Sequence, residues 1–281
     1  MKNRLKEVAV IGLGLMGGSF ALSLKGINPE CRITGYDHND QHCIEALELN
    51  LVDRITDEIS DLYDMDLIVL AIPVDGIIST LKELTDVSSH TTIMDLGSTK
   101  SLIVESVPDK IRKNFVATHP MTGTEKFGPS AAFAELYRGK AVVLCNIEDS
   151  GKEQRKLVKE IYGYMGMKIF YMDAKEHDRH AAFISHMPHA LSYSLANAVM
   201  KQENPQAILA LAGGGFRDMS RIAKSSPNMW LDIFRQNKSN LLEAIECLKD
   251  ELNKCEEMVK KEEWERLREW MLNANELHNI L

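Results

Sequence analysis

The chain has 281 residues, of which 44% are hydrophobic and 26% charged, as in a globular protein long enough for two domains with cores of their own. Its formal net charge of -8 at pH 7 argues against a nucleic-acid partner, which would select for a basic surface. The sequence holds no apolar run of about 18 residues, so we expect no membrane span. Its five cysteines form no CxxC pair, so we expect no disulfide framework or zinc site, and a cytoplasmic location.

Short apolar segments alternate with longer mixed segments over the first 172 residues. Continuous runs of Val, Ile and Leu indicate strands buried on both faces of a parallel sheet, and the alternation with helical segments indicates βαβ units. The predicted strands are EVAVIGL, RITGYD, DLIVLAIP, TTIMDLG, NFVATHP, KAVVLCN and MKIFYM. The sequence therefore predicts an α/β fold, with a Rossmann-type, doubly wound and mostly parallel sheet in residues 1–172.

Residues 173–281 have a different character. They contain no convincing strand, and apolar residues recur at helical spacing from Trp230 to Val259. We therefore predict an all-helical C-terminal domain over 173–281 that serves substrate binding and dimerisation. The apolar stripe is wide for one small domain, and burial against a second copy would explain it, so we expect a homodimer formed through this domain.

A glycine-rich segment follows the first predicted strand. Gly12, Gly14 and Gly17 form G-x-G-x-x-G where a helix is predicted to begin, with Leu15 and Met16 in its first turn. In this context the glycines allow a tight turn, close approach to a pyrophosphate and close packing of helix on strand. The helix start also offers unpaired N–H groups to phosphates. The alternative is a glycine-rich turn in another kind of α/β protein.

Two further residues support a dinucleotide site. Asp37 ends the second predicted strand, about 20 residues after the glycine motif, where an acid can accept hydrogen bonds from the adenosine ribose. A carboxylate there would repel a 2′-phosphate, so NAD is favoured over NADP, although Asp37 could also be an ordinary turn residue. Pro73 ends the DLIVLAIP strand, and we expect it to line the cofactor site beside the adenine and its ribose. The alternative is that Pro73 only ends the strand.

Polar side chains follow the fourth and fifth predicted strands. Ser98 lies in DLGSTK, and His119 and Thr124 lie in ATHPMTGTE. Ligands of doubly wound sheets bind beyond the carboxyl ends of the strands, so we expect Ser98 and His119 to be neighbours there.

The helical domain supplies more candidates. His186 and His189 share one helical face if the helix continues through Pro188, and Arg221 lies further along the chain. A lone histidine is usually structural, but three beside a predicted nucleotide cleft point to a functional site. A zinc site is the competing interpretation, and it lacks support because no cysteine accompanies the histidines and no HExxH is present.

Five segments together resemble the prephenate dehydrogenase family, which includes arogenate dehydrogenases. They are GLGLMGGSFALSLK, DLGSTK, HPMTGTE, SHMPHALSYSLA and GGGFRDMSRIAKSSPNMWLDIF. The resemblance implies NAD-dependent oxidative decarboxylation of prephenate to 4-hydroxyphenylpyruvate in tyrosine biosynthesis. The alternatives are an arogenate dehydrogenase, which gives tyrosine directly, and a non-catalytic NAD-binding sensor. A sensor would be expected to lack Ser98, His119 or Arg221, and all three are present.

The resemblance also implies residue roles in catalysis. His119 matches the histidine that hydrogen-bonds the ring hydroxyl and assists its deprotonation, which suits a side chain with a pKa near neutrality. Ser98 would orient His119 or the hydroxyl, and it is placed beside the cofactor as well. Arg221 matches the arginine that binds the ring carboxylate through two parallel hydrogen bonds.

Other matched residues are expected around the substrate. His189, with His186 close by, is the candidate for the carboxylate on the pyruvyl arm, and a position against the nicotinamide is the alternative for both. Thr124 is expected to support the substrate site. Trp230 matches a tryptophan that approaches the site across a dimer interface in the family, and its alternative is a core residue of a long helix.

Overall fold

A computed structural model describes residues 5–280 and contains one eight-stranded sheet. The strands run in the order β3-β2-β1-β4-β5-β6-β7-β8, and all neighbours are parallel except the antiparallel pair β6 and β7. Their bounds are β1 Glu7–Ile11, β2 Arg32–Tyr36, β3 Arg54–Ile55, β4 Leu67–Leu70, β5 Thr92–Asp95, β6 Phe115–Pro120, β7 Ala141–Cys145 and β8 Lys168–Met172.

Helices connect these strands and form the rest of the chain. Among residues 173–280 no strand occurs, as the sequence predicts. The helices are α1 Leu15–Ile27, α2 Asp40–Glu48, α3 Val74–Glu83, α4 Ser101–Ser106, α5 Lys152–Tyr164, α6 Ala174–Ala181, α7 Met187–Met200, α8 Pro205–Ala210, α9 Gly214–Ser220, α10 Pro227–Gln236, α11 Lys238–Lys260, α12 Trp264–Asn275 and α13 Leu277–Ile280. None of those described is long and apolar enough to cross a lipid bilayer.

The central strands are buried on both faces. In β1, Val8 and Val10 point into one hydrophobic layer, whereas Ala9 and Ile11 point into the other. Because successive side chains of a strand point to opposite faces, a strand covered on both sides needs apolar residues at every position. This explains the unbroken apolar runs and confirms the predicted doubly wound sheet.

The strand order reverses between β1 and β4. The chain passes from β1 to β2 and β3 on one side, then returns to lay β4, β5 and β6 on the other. Such a reversal opens a crevice beyond the carboxyl ends of the two strands, which is where open α/β sheets bind ligands. The glycine-rich turn leaves β1 at this place.

A long segment between β6 and β7 lies across α1. Ser19 accepts a hydrogen bond from the Phe133 backbone N–H at 3.0 Å, and Ser23 donates to the Ala134 carbonyl at 2.6 Å. The buried Tyr137 donates to the Met16 carbonyl at 2.7 Å. We call residues 122–140 the strap, because these bonds fasten it to the helix that follows the glycine-rich turn.

The chain packs as two compact units that divide between Asn237 and Lys238. The first contains the sheet and the helices through α10, and the second contains α11, α12 and α13. The domain boundary predicted between residues 172 and 173 falls between β8 and α6, and it stays a prediction.

Gly17→Ala should lower the free energy of unfolding by about 1–3 kcal/mol, the usual cost of overpacking. A Cβ at this position would lie 1.9 Å from the Gly12 carbonyl oxygen, and backbone cannot move aside as a flexible side chain can. Gly26→Ala is the matched control in the same helix, because a Cβ there meets no atom within 4 Å. It should stabilise the protein by about 0.5–1 kcal/mol. Chemical denaturation measures both, and equal effects would contradict this account of the turn.

Candidate active site

The glycine-rich turn has the shape that a dinucleotide site needs. Gly12 has a φ of +94°, and its N–H donates to the Tyr36 carbonyl at 2.8 Å, which joins the turn to β2. A Cβ at Gly12 would lie 2.4 Å from the Ala71 carbonyl oxygen, so only glycine fits. Gly14, where α1 begins, faces open space, and no side chain caps the helix. The first N–H groups of α1 are therefore available to a phosphate.

Asp37 braces this turn from the end of β2. Its carboxylate accepts hydrogen bonds from the Leu13 N–H at 2.8 Å and the Asn39 N–H at 2.9 Å, and the His42 ring lies 3.4 Å away. A carboxylate has about four lone-pair positions, so these bonds leave acceptor capacity for a ribose hydroxyl. The predicted ribose contact is compatible with this geometry and stays a prediction.

The other predicted cofactor residues lie around the same crevice. Leu15 and Met16 form the first turn of α1, and Leu15 is buried. Pro73 is exposed where α3 begins, and Ser98 is half-buried in the loop between β5 and α4. Their contacts with a cofactor, and that of Ser98 with His119, stay predictions.

His119 lies near the end of β6, and its ring is tied into a chain of three side chains. Its Nδ1 is 2.8 Å from His177 Nε2, and His177 Nδ1 is 2.9 Å from Asp178 Oδ1. His177 and Asp178 are both buried on α6, whereas His119 is partly exposed. The three side chains form a hydrogen-bonded line that runs from the interior to the crevice.

Burial and neighbouring groups determine the protonation states of His119 and Asp178, the two ends of this line. Burial, together with nearby His177, Lys100 and His186, holds the pKa of His119 well below its ordinary value, so its ring is neutral at neutral pH. Burial alone would raise the pKa of Asp178, but hydrogen bonds from His177 and Ser101 outweigh it and keep the carboxyl ionised. The line therefore couples a neutral imidazole at the crevice to a buried negative charge.

Lys100 is fully buried beneath the site. Its ammonium pairs with Asp95 and donates to the Thr118 carbonyl at 2.8 Å, while its backbone N–H donates to Asp178 at 2.7 Å. Buried charges are tolerated only when they are paired and hydrogen-bonded, as here. Lys100 thus links the end of β5, strand β6 and helix α6, and holds the floor of the site together.

The predicted histidines of the helical part meet around Trp230. A π-helical turn, Ala182–His186, leads directly into α7, so the helix does continue through Pro188. The His189 ring stacks on Trp230, with ring centres 3.5 Å apart, and the His186 ring meets the same indole edge-on at 5.9 Å. Trp230 is 6% exposed, so within this chain it packs as a core residue against both histidines.

The two histidines differ in their hydrogen bonds. His186 is buried, and its Nδ1 lies 3.1 Å from the amide nitrogen of Asn237. His189 donates from Nδ1 to the Ser185 carbonyl at 2.9 Å, because a carbonyl can only accept. Burial, with the charge of Arg221 nearby, lowers the pKa of His189 despite that hydrogen bond. Neutral His189 therefore presents an unprotonated Nε2.

Arg221 is exposed and lies 3.8 Å from Glu125, a weak ion pair that a stronger anion can replace. Thr124 is an exposed residue of the strap, and its hydroxyl accepts from the Lys126 N–H at 3.2 Å. The structure thus brings Arg221 near His189 and Glu125, and it places the Thr124 hydroxyl in a local turn. The predicted substrate contacts of Arg221, His189, His186, Thr124 and Trp230 stay predictions.

The two partners of His119 were not among the residues predicted from the sequence. His177 and Asp178 lie in DAKEHDRHAAF, at the start of the helical part, where two adjacent polar residues look like an ordinary exposed helix face. The structure buries both. No local signal marked them, because β7 and β8 run opposite to β6 and the chain leaves β8 towards the amino-terminal end of β6. Only the packing of α6 brings His177 back to His119.

A glycine-rich turn at the reversal of strand order, with an imidazole near the carboxyl end of β6 in the same sheet, defines a dinucleotide-dependent dehydrogenase. Two family models match the chain: prephenate dehydrogenase, nucleotide-binding domain, over residues 20–171, and prephenate dehydrogenase, dimerization domain, over residues 173–273. The chain belongs to the prephenate dehydrogenase family.

Relatives and solved structures agree with this assignment. Prephenate dehydrogenase of Bacillus subtilis is 33% identical over 99% of this chain and 77% of its own length. The crystal structure of prephenate dehydrogenase from Aquifex aeolicus in complex with hydroxyphenyl propionate and NAD+ has a TM-score of 0.91 and 34% identity, covering 98% of this chain and 97% of the other. Synechocystis arogenate dehydrogenase has a TM-score of 0.81 and 26% identity, covering 97% and 99%. The predicted family, fold and oxidoreductase class are confirmed.

His186→Gln should make folding stability less sensitive to acid. Burial lowers the pKa of His186 to about 4, whereas in the unfolded chain it is near 6.5, so the unfolded state takes up a proton first as the pH falls. The native protein should lose roughly 3 kcal/mol of unfolding free energy to this group as the pH falls from the unfolded value towards the folded one. Denaturant titrations at several pH values should show that loss in the wild type and in the exposed-site control His278→Gln, and a smaller loss in His186→Gln. Parallel pH curves for all three would contradict it.

Proposed function

We propose that the protein oxidises prephenate with NAD+ and releases its ring carboxylate as carbon dioxide, giving 4-hydroxyphenylpyruvate. The observation that carries this proposal is the neutral imidazole of His119 at the carboxyl edge of the sheet, backed by buried His177 and Asp178. The Aquifex relative supports it, because that protein was crystallised with hydroxyphenyl propionate and NAD+. The former has the ring and three-carbon acid arm of the proposed product.

The reaction needs one proton acceptor and two anion sites. As hydride leaves ring carbon C4, the proton of the C4 hydroxyl passes to His119, and the C1–carboxylate bond breaks. The carboxylate leaves as carbon dioxide, and the electron pair of the broken bond moves through the ring to the C4 oxygen. That oxygen then takes up a proton and becomes the phenol of the product. Formation of the aromatic ring drives the change, so the protein mainly orients the substrate, binds its charges and moves that proton.

The cofactor fits the glycine-rich turn. NAD+ bound there supplies the acceptor for the hydride. Gly12 and Gly17 allow the backbone to pack closely at the turn, Gly14 leaves the space in front of it open, and the start of α1 offers N–H groups to the pyrophosphate. Asp37 gives the acceptor for the ribose, which favours NAD over NADP.

Arg221 serves the ring carboxylate. Its guanidinium is exposed and paired only weakly with Glu125, so a substrate carboxylate can take the place of that partner through two parallel bonds. His189 serves the pyruvyl arm when its Nε2 is protonated, and the approach of a second carboxylate favours that protonated form. Ser98 orients the hydroxyl from the loop after β5.

Arogenate is the second candidate substrate, and one feature favours it. Neutral His189 presents an unprotonated Nε2, because its Nδ1 donates to the Ser185 carbonyl. Such a nitrogen accepts a hydrogen bond from the ammonium group of an amino-acid arm. The similarity to Synechocystis arogenate dehydrogenase points the same way.

We also propose that the protein is a cytoplasmic homodimer. The family model that matches residues 173–273 describes a dimerization domain. Large apolar side chains are exposed in this part, including Leu211 at 88% and Leu231 at 67%, and a second copy would cover them. All five cysteines are free thiols, which fits a reducing compartment.

Purified protein with NAD+ should form NADH on addition of prephenate, with 4-hydroxyphenylpyruvate as the product. His119→Asn should lower kcat by about 10²–10⁴-fold, the scale of a positioned acid–base group, while NAD+ binding is retained. A parallel assay with arogenate decides the substrate. Higher kcat/KM with arogenate would replace prephenate as the substrate, and no NADH from either would favour the non-catalytic sensor.

Arg221→Ala should raise KM for prephenate by about 10- to 100-fold, because a charge-assisted hydrogen bond contributes roughly 1.5–3 kcal/mol. Arg266→Ala is the control, since this arginine is similarly exposed and paired with Glu263 on α12. Steady-state kinetics with both variants check the assignment. A KM for Arg221→Ala equal to that of the control would remove Arg221 from the carboxylate site.

A further inference from the structure

We infer that His177 and Asp178 are positioning residues that fix which nitrogen of His119 carries the proton, so that Nε2 takes the proton of the substrate hydroxyl. This inference rests on the proposed function for the identity of the proton donor. The arrangement of the three side chains stands on the hydrogen bonds alone.

The line begins at a carboxylate that can only accept. Asp178 is 4% exposed, and its two oxygens receive hydrogen bonds from the Lys100 N–H at 2.7 Å and the Ser101 N–H at 2.9 Å. A buried carboxylate with these donors is ionised, so it has no proton to give. The contact with His177 Nδ1 at 2.9 Å must therefore be a hydrogen bond donated by the ring.

The donor and acceptor roles of His177 then determine those of His119. His177 is 2% exposed, and in the arrangement that we infer it is a neutral imidazole with a single ring proton. Since that proton is on Nδ1, Nε2 has a lone pair and accepts. Its partner at 2.8 Å, His119 Nδ1, must then donate. The opposite arrangement would set the Nδ1 lone pair of His177 against the carboxylate of Asp178.

The consequence falls on the catalytic nitrogen. With its proton on Nδ1, neutral His119 has a free lone pair on Nε2, the only ring nitrogen left for a ligand. When the O–H bond of the substrate breaks and the Nε2–H bond forms, the ring becomes a cation that still donates to His177. The negative charge of Asp178 then stabilises that cation across the neutral His177, a longer-range version of the role that the buried aspartate has in serine proteases.

The other charged groups around His119 explain why this help is needed. Lys100, and His186 when protonated, oppose a positive charge on the ring, and Asp95 is occupied by the ammonium of Lys100. Asp178 is linked to His119 only through His177, by the two hydrogen bonds of the line. Asn237, directly after α10, also contacts this residue, because its side-chain amide donates to the backbone carbonyl of Asp178 at 2.6 Å.

The direct test is the protonation pattern of His119 in the full-length protein with NAD+ bound. Nitrogen-15 NMR of histidine-labelled protein distinguishes a protonated Nδ1 from a protonated Nε2, and His119→Asn assigns the signals. We expect the proton on Nδ1 at neutral pH. A His119 ring protonated mainly on Nε2 would overturn the inference, whatever substrate the enzyme uses.

Two variants of His177 give the functional test. His177→Leu removes the acceptor, so both forms of the His119 ring should appear and kcat should fall by at least about 100-fold with little change in KM. His177→Gln can turn its amide oxygen towards His119 Nδ1, so it should keep the Nδ1 proton and recover much of kcat. His180→Gln, at an exposed position of the same helix, should change neither property.

Other outcomes would reject the assignment. Equal losses of kcat in His177→Leu and His177→Gln, with the Nδ1 proton retained in both, would mean that His177 is only structural. If His177→Leu does not fold, the NMR result for the wild type and the kcat of His177→Gln decide the question. Failure with prephenate but success with arogenate would change the proposed substrate and leave the proton arrangement intact.

Discussion

In a sheet that is covered on both faces, polar groups can bind a ligand only at the ends of the strands. Every residue of β4 and β5 is buried, so ionisable groups can meet a ligand only where the strands end. Asp95 is at the end of β5, and His119 is near the end of β6. The reversal of strand order opens the crevice beside them, and the helices that follow β8 bring His177 and Asp178 to the same edge. The position of the whole site follows from this one constraint.

The buried carboxylate of Asp178 organises that edge. It binds two successive backbone N–H groups at the start of α4 and a histidine from its own helix. Removal of this acceptor would leave several buried donors unsatisfied, which costs more than the net contribution of any one bond. The same group therefore stabilises the packing of α6 on the sheet and sets the electrostatics around His119.

Much of this architecture could be predicted from the sequence. Seven of the eight strands correspond to apolar runs, whereas β3 has only two residues and gives no such signal. The glycine spacing predicted the tight turn after β1, and short motifs gave His119, His189 and Arg221 as candidate site residues. The partnership of His119 with His177 could not be predicted, because it joins residues 58 positions apart through the packing of α6. The spacing of neighbouring residues along the sequence contains no information on a contact of this kind.

The strap joins the segment that we propose lies at the substrate site to the helix that we propose binds the cofactor. Thr124 and Glu125 belong to the segment that Ser19, Ser23 and Tyr137 fasten to α1. A different loop in place of the strap would leave the Ser19 and Ser23 hydroxyls and the Met16 carbonyl without these partners, unless it offered a backbone N–H, a carbonyl and a hydroxyl at the same places. In protein engineering, loop and helix therefore have to be redesigned together.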